Sequence, residues 1–290
     1  MADQRRVLGI DVSKWQGEMN WVQAARAGAW FAFIKATQGT RVVDPMFQRN
    51  WNQSRGLVLR GAYHFYEPDQ DPQAQAEHFV HTLPADDRGE LPLVLDLERG
   101  HVTWHDVARF MQRVQELDGR EPILYTSPGY VAPMGPPPKP WPLWIAHYHV
   151  DQPALPPGWS KWTFWQYSAT GPGPQYGAQS KHIDLNVFNG SLEDLIQFAG
   201  LEWGKAAWWR CGRLERLGAT PATSPGAPEP SGERRVVTAY RLRVRSGPGT
   251  EYGIVGVLQR GDVVTVLETK DGWGRIGPGR WIALRYTAPA

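Results

Sequence analysis

With 290 residues, 41% hydrophobic and 21% charged, the chain is long enough for one large and one small domain and is not biased toward disorder. A net charge of +2 is too small to point to nucleic acid as a general partner, and no stretch reaches the roughly 18 apolar residues that a membrane span requires. The single cysteine, Cys211, excludes an intrachain disulfide and any paired-cysteine metal site.

The first elements alternate between strand and helix patterns. Val7-Leu8-Gly9-Ile10-Asp11 is an apolar run ending in an acid, and residues 20–29 place Trp21, Val22, Ala25 and Ala29 at helical spacing. A second strand at 30–35 ends in Lys35. Asp44-Pro45 predicts the start of a second helix running to residue 55, with proline at its first position. A third strand, 57–66, ends in Tyr63-His64-Phe65-Tyr66, and Asp71-Pro72 opens a third helix to about residue 83. The fourth strand is Leu91-Pro92-Leu93-Val94-Leu95-Asp96-Leu97-Glu98. Thr103 caps a helix over 104–117, whose apolar stripe is Val107, Phe110, Met111 and Val114. A fifth strand, 122–125, ends in Tyr125.

The rhythm then changes. Six prolines between residues 133 and 142 exclude a regular helix across most of that crossover. Strands at 143–146, 162–167 and 182–188 follow, joined by loops rich in Pro and Gly, and Ser191 caps a last helix at 192–199. Four or five strand–helix units followed by irregularly joined strands predict a modified α/β barrel, with a doubly wound open sheet as the competitor. Polar residues recur at predicted strand C-termini: Asp11, Lys35, His64, Glu98, Tyr125, His147, Gln166 and Asp184. In barrels that rim is where chemistry is assembled.

Residues 1–200 are therefore read as one barrel domain and 201–235 as a linker. Within the linker, 203–217 has the pattern of a short amphipathic helix and 219–232 the Pro/Ala/Ser composition of an extended connector. Residues 236–290 read as short strands and turns, a small all-β domain with Trp273 as its expected core and no cluster of catalytic type. Eight Arg and Lys stand against four Asp and Glu from Val236 onward, so this domain is basic and the barrel mildly acidic.

The pair Asp96 and Glu98 carries the chemical signal. Side chains alternate along a strand, so both carboxyls leave one face at the end of an apolar run. Two such acids are costly unless paired, hydrogen-bonded or used in chemistry. A solvated strand end is the bland reading of the same residues.

The motifs, in order, are Gly9-Ile10-Asp11-Val12-Ser13, Phe33-Ile34-Lys35-Ala36-Thr37, Gly61-Ala62-Tyr63-His64-Phe65, Leu95-Asp96-Leu97-Glu98, Leu143-Trp144-Ile145-Ala146, Trp165-Gln166-Tyr167 and Ile183-Asp184-Leu185-Asn186. Together, over residues 6–199, they resemble glycoside hydrolase family 25, the lysozyme-like muramidases. The tail resembles bacterial SH3-like domains through Leu242-Arg243-Val244-Arg245-Ser246-Gly247-Pro248 and Gly272-Trp273.

The resemblance implies an irregular TIM-like (β/α)5(β)3 barrel followed by an SH3-like barrel. It implies cleavage of the β-1,4 bond between N-acetylmuramic acid and N-acetylglucosamine in bacterial peptidoglycan, with no cofactor and no metal. Glu98 aligns with the general acid, and Asp11, Asp96 and Asp184 with the other acids. Gln38 departs from the family, many of whose members carry Glu there; this reads as a lost rim charge. An ionised Asp96 is expected to keep Glu98 protonated near neutrality. Either Asp96 or Asp184 would orient the substrate's acetamido group, and retention against inversion stays open.

Tyr63, Trp144 and Trp165 are candidate sugar platforms, and Gln166 and Tyr125 candidate hydrogen-bonders to substrate. His64, His147 and His182 have no metal spacing. A wall-binding protein built on a decayed hydrolase is the alternative, against which the intact acid set argues; a chitinase-like ladder of acids fails at Leu91-Pro92 and Leu93. The start at Met1 without an export signal is the pattern of a phage endolysin, made in the host cytoplasm and released to the wall; a secreted enzyme with its signal trimmed is the other possibility.

Overall fold

A computed structural model describes residues 6–201, 213, 233–239, 241–259, 262–277 and 280–289. The first unit is built on β1 (Val7–Val12), β2 (Phe31–Gln38), β3 (Val42–Val43), β4 (Leu59–Phe65), β5 (Val94–Asp96), β6 (Ile123–Thr126), β7 (Leu143–Ala146), β8 (Phe164–Pro172) and β9 (His182–Phe188). Parallel pairing runs from β1 through β2, β4, β5, β6 and β7 to β8. The last strand, β9, is antiparallel to both β8 and β1 and closes the ring. Closure excludes the open doubly wound sheet; β3 is only a short antiparallel addition to β2.

Helices α1 (Trp21–Arg26), α2 (Phe47–Ser54), α3 (Pro72–Thr82), α4 (Trp104–Asp118) and a single turn, α5 (Pro128–Val131), fill the first five crossovers. Asn20, Asp71, Thr103 and Ser127 cap α1, α3, α4 and α5 through side-chain oxygens that accept from backbone N–H groups. Gly119 ends α4 in the left-handed conformation, which glycine adopts without steric cost. The second helix starts later than the Asp44-Pro45 signal predicts, at Phe47. Asp44 instead accepts from Met46 N (2.9 Å) and Lys14 N (3.0 Å), tying the turn after β1 to the start of α2.

The barrel follows the two-residue period of its strands. Ile10, Ala32, Ala62, Leu95 and Ile145 face outward into the layer beneath the helices. Phe31, Phe33, Leu59, Val94, Ile123, Trp144 and Phe164 face the lumen and pack ring against ring. Two of the motif glycines belong to this packing. A Cβ at Gly9 would lie 2.4 Å from the Phe31 ring, and one at Gly61 2.7 Å from Phe33. Helix α6 (Leu192–Phe198), capped by Ser191, sets Leu195, Ile196 and Phe198 against the lower end of the lumen.

The chain divides into two compact units, Met1–Pro221 and Ala222–Ala290. The expected helix at 203–217, the connector at 219–232 and Cys211 lie outside the described residues, Arg213 excepted. Arg213 is buried against the barrel although it falls in the stretch read as linker. It donates to Leu57 O (2.7 Å), Ala25 O (2.9 Å) and Ala29 O (2.8 Å), with its guanidinium 3.9 Å from the centre of the Trp30 ring.

In the second unit, β10 (Glu233–Val237) begins inside the stretch assigned to the linker and pairs with β13 (Val263–Val266) and β17 (Thr287–Pro289). A second sheet joins β12 (Ile254–Gln259), β11 (Arg241–Arg245), β16 (Arg280–Ala283), β15 (Trp273–Gly277) and β14 (Glu268–Lys270) in that order. Its core is Val237, Leu242, Val244 and Ile282. Trp273 is not part of it, contrary to expectation: at the start of β15 it stays half-exposed at the edge of a cleft. Among the described residues no helix is long and apolar enough to cross a membrane.

Candidate active site

Along five of the strands the lumen-facing positions turn from apolar to polar toward one rim: Gly9 gives way to Asp11, Phe33 to Lys35, Val94 to Asp96, Ile123 to Tyr125 and Phe164 to Gln166. Asp184 reaches this rim differently from the sequence expectation. It sits near the start of β9, not its end; because β9 runs antiparallel, its beginning meets the C-terminal ends of its neighbours. Asp11 and Asp184 are register partners across the β1–β9 pair. The closed ring thus brings Asp11, Asp96, Glu98 and Asp184 into one mutually interacting group.

Burial dominates their electrostatics. Asp11 and Asp96 are pushed well above the ordinary carboxyl range, first by loss of solvent and then by charged neighbours, Asp184 for Asp11 and Glu98 for Asp96. Asp184 rises to about 6, also through burial, against the lowering effect of a hydrogen bond with Asp11. Asp11 Oδ2 accepts from Gln166 Nε2 (2.7 Å) and Asn186 Nδ2 (2.8 Å), so its orientation is fixed from two sides.

Glu98 is raised as well: burial raises it and the Lys35 ammonium opposes the rise. The expected repulsion between Asp96 and Glu98 is present and favours a proton on the pair. Asp96 is the more deeply buried of the two. Its Oδ1 is buried without a hydrogen-bond partner, an unsatisfied acceptor inside the site.

Lys35 is the cation of this rim. Its ammonium lies 4.4 Å from the centre of the Phe65 ring and donates to Gln38 Oε1 (3.0 Å). Gln38 Nε2 donates in turn to Glu67 Oε1 (2.7 Å), which also faces Arg99. The charge absent at Gln38 is thus present one residue further out, on Glu67.

The expected sugar platforms are redistributed. Trp144 is 2% exposed, stacked 4.3 Å from Phe33, and donates through Nε1 to Asn186 Oδ1 (2.7 Å). It is lumen packing that orients Asn186, since no face is open to a sugar ring. Trp165 alternates to the outside of β8, 4% exposed, with its Nε1 on His147 O and Arg6 over its ring. It faces away from the site. Tyr63 stays at the rim, buried edge-on to Trp144, its phenol pushed well up by burial and by Asp11 and Asp96.

Gln166 accepts from Tyr125 Oη (2.9 Å) and Tyr148 Oη (2.5 Å) while donating to Asp11. It therefore holds the site together instead of offering a free carboxamide to substrate. His64 faces outward from β4, bonded to Thr37 and Gln75 between Phe79 and Phe110; burial lowers it to about 3. His147 Nδ1 accepts from Ala154 N. Asn186 and Tyr148 were not singled out from the sequence. Asn186 was readable, two positions from Asp184 and so on the same strand face; Tyr148 sits on a loop and carries no periodic signal. Among the described residues no cluster of three or more His, Cys, Asp or Glu is arranged to hold a metal ion.

Comparison with known proteins agrees with this fold. Residues 10–176 match the model of glycosyl hydrolases family 25, and residues 241–288 that of the bacterial SH3 domain. Lysozyme M1 of Streptomyces globisporus is 36% identical over 222 residues, covering 68% of this chain and 73% of its own length. The bacterial lysozyme structure from Streptomyces coelicolor superposes with a TM-score of 0.58 at 34% identity, covering 68% of this chain and 98% of that one. A family 25 glycosyl hydrolase from Bacillus anthracis gives a TM-score of 0.61 at 30% identity, covering 69% and 96%. A closed barrel with four interacting carboxyls at one rim, followed by a small all-β domain, is thus a glycoside hydrolase, and the chain belongs to glycosyl hydrolases family 25.

Proposed function

We propose that this protein is an N-acetylmuramidase that cleaves the β-1,4 bond between N-acetylmuramic acid and N-acetylglucosamine in bacterial peptidoglycan. The observation that carries the reading is the convergence of Glu98, Asp96, Asp11 and Asp184 at one rim, with burial raising all four. Glycoside hydrolysis needs a proton donor for the leaving oxygen and negative charge near an oxocarbenium-like centre. Glu98, raised and still partly open to solvent, is the donor.

Asp96 is assigned to orienting the acetamido group, since it leaves the same strand face as Glu98 two positions away. Asp184 is engaged with Asp11 and shapes the field instead. In the first step the acetamide oxygen bonds to C1 as the C1–O bond breaks, and the Glu98 proton goes to the departing oxygen. Water then attacks C1 and returns a proton to Glu98, which restores the acetamide and retains configuration.

The same proposal includes the endolysin role, in which the enzyme is made inside a bacterial cell and reaches the wall on release. The pairing of a wall-hydrolase barrel with a bacterial SH3 domain supports it. Purified walls incubated with the enzyme should lose turbidity and yield new reducing ends on muramic acid. Reducing ends on glucosamine, or no cleavage, would refute the bond assignment. Cells producing the enzyme should stay intact until their membrane is permeabilised; lysis without permeabilisation would refute the endolysin role.

A further inference from the structure

Strand β2 ends in an irregularity that the proton-transfer steps do not use. Lys35 pairs with Tyr63 of β4 and Thr37 with the next residue, His64, so two steps on β2 oppose one on β4. This β-bulge at Ala36 resets the alternation of side chains. In a regular strand Lys35 and Gln38, three positions apart, would leave opposite faces. With the bulge Gln38 is level with Phe65, and both return to the face of Lys35 and Tyr63. Side-chain contacts follow the shifted register. Thr37 Oγ1 meets His64 Nδ1 (2.7 Å) on the outer face, and Lys35 Nζ donates to Gln38 Oε1 (3.0 Å) on the inner one.

The contact fixes a charge without neutralising it. Gln38 gives its carboxamide N–H to Glu67 Oε1 (2.7 Å), which turns its oxygen toward Lys35. Glu67 is anchored through its backbone: its N–H donates to Gln75 Oε1 and its carbonyl accepts from Gln75 Nε2, each at 2.9 Å, and Gln75 is fully buried on α3. Arg99 lies 3.4 Å from Glu67 and takes up its charge. Lys35 thus ends on a neutral acceptor and the Phe65 ring, and among the described residues no carboxylate is in ion-pair contact with it. The charged groups around it are Asp96 and Glu98 at the end of β5, Asp44 before α2 and Lys14 after β1. Burial lowers Lys35, and the three carboxyls hold its proton against Lys14. Its charge in turn opposes the rise that burial gives to Asp96 and Glu98.

We propose that Gln38, aimed by the bulge and locked by Glu67, is a positioning residue that holds the Lys35 ammonium un-neutralised beside Asp96 and Glu98, so that this charge sets the upper pH limit of proton donation by Glu98. The proposal rests on Glu98 as the donor, and it adds what fixes the pH at which it can donate. A neutral clamp leaves the whole charge of Lys35 acting on the two acids, whereas a carboxylate in its place would cancel most of it. The full chain is assayed for kcat/KM on soluble peptidoglycan fragments across pH, unsubstituted and carrying Gln38→Glu, Lys35→Met or Lys35→Arg. The alkaline limb of each profile reports loss of the donor's proton.

A cation beside a carboxyl favours its ionised form, so removing or cancelling the cation moves that limb to higher pH. Lys35→Met should raise it by about one pH unit and Gln38→Glu by about half a unit, while Lys35→Arg, which keeps the charge, should leave it in place. Gln38 is half-buried, and its substitution carries the test even where Lys35→Met folds poorly. A limb that stays put in Gln38→Glu and Lys35→Met, whatever happens to kcat, leaves both residues a structural role and overturns the proposal. So does a shift to lower pH, or Lys35→Arg behaving like Lys35→Met. Glu98→Gln in the same assay separates the two readings: surviving turnover refutes Glu98 as donor, whereas lost turnover together with an unmoved limb in the other variants refutes the role of Gln38 and Lys35 alone.

Discussion

The two ends of the barrel handle buried charge in opposite ways. At the catalytic rim four carboxyls face one another with Lys35 as the nearby cation, and burial raises them all. At the other end, near the start of β4, Arg60 is 1% exposed and meets its charges in full. It donates to both oxygens of Asp87 (2.9 and 2.7 Å), to both of Glu90 and to Trp51 O, with its guanidinium 4.7 Å from the Trp51 ring centre. There the cation pulls Asp87 below its ordinary range in spite of burial. Complete pairing yields a fixed structural joint. Incomplete pairing yields carboxyls that hold their protons more tightly than in water, which is what a general acid requires.

The sharpest way to break this contrast is Glu98→Gln. Turnover should fall by about 10²–10⁴-fold with an unchanged melting temperature, read by reducing-end release and calorimetry. Activity near wild type would remove Glu98 from the role of acid. The matching change at the opposite end, Arg60→Ala, leaves Glu90 without its cation and Asp87 with only the exposed Arg55, both carboxylates being half-buried. It should cost about 3–5 kcal/mol in denaturant unfolding while the folded fraction keeps its kcat. A loss below 1 kcal/mol would show that the joint is ornamental.

Asp184→Asn sharpens the comparison through pH. A carboxyl raised from 3.8 to about 6 on folding binds its proton more tightly in the native state, so stability falls as pH rises from about 4 through 6. Removing it should stabilise the fold by about 3 kcal/mol above pH 6, with no gain below pH 4, although activity drops. A gain that is the same at every pH would contradict the linkage. The smallest effect is expected at Trp165, on the outside of β8: Trp165→Phe should cost about 1 kcal/mol of stability and leave KM unchanged. A raised KM would restore it as a sugar platform.

His64 shows how a motif residue can mislead. It lies beside Tyr63 in a strand-end signature, but one step along a strand turns a side chain to the other face. Tyr63 therefore meets the acids while His64 fills the layer between Phe79 and Phe110. Trp144 and Trp165 illustrate the same limit, since an aromatic side chain near a rim packs or binds according to which neighbours cover its faces. Trp273 errs the other way, expected in a core and found at a cleft.

By itself the sequence determined the strand and helix rhythm, its breakdown after Tyr125, the small domain at the end and the four acids. These follow from local chemistry: apolar period, proline content, capping residues and carboxyls at the ends of apolar runs. Only the tertiary structure decided that β9 turns back to present Asp184 beside Asp11, that Gln166, Asn186 and Tyr148 fix that pair, and that Asp96 keeps an unsatisfied oxygen. The contacts of Asp11 with Gln166 and Asn186 depend on barrel closure, which brings residues more than 150 positions apart within 3 Å, a proximity no local pattern encodes.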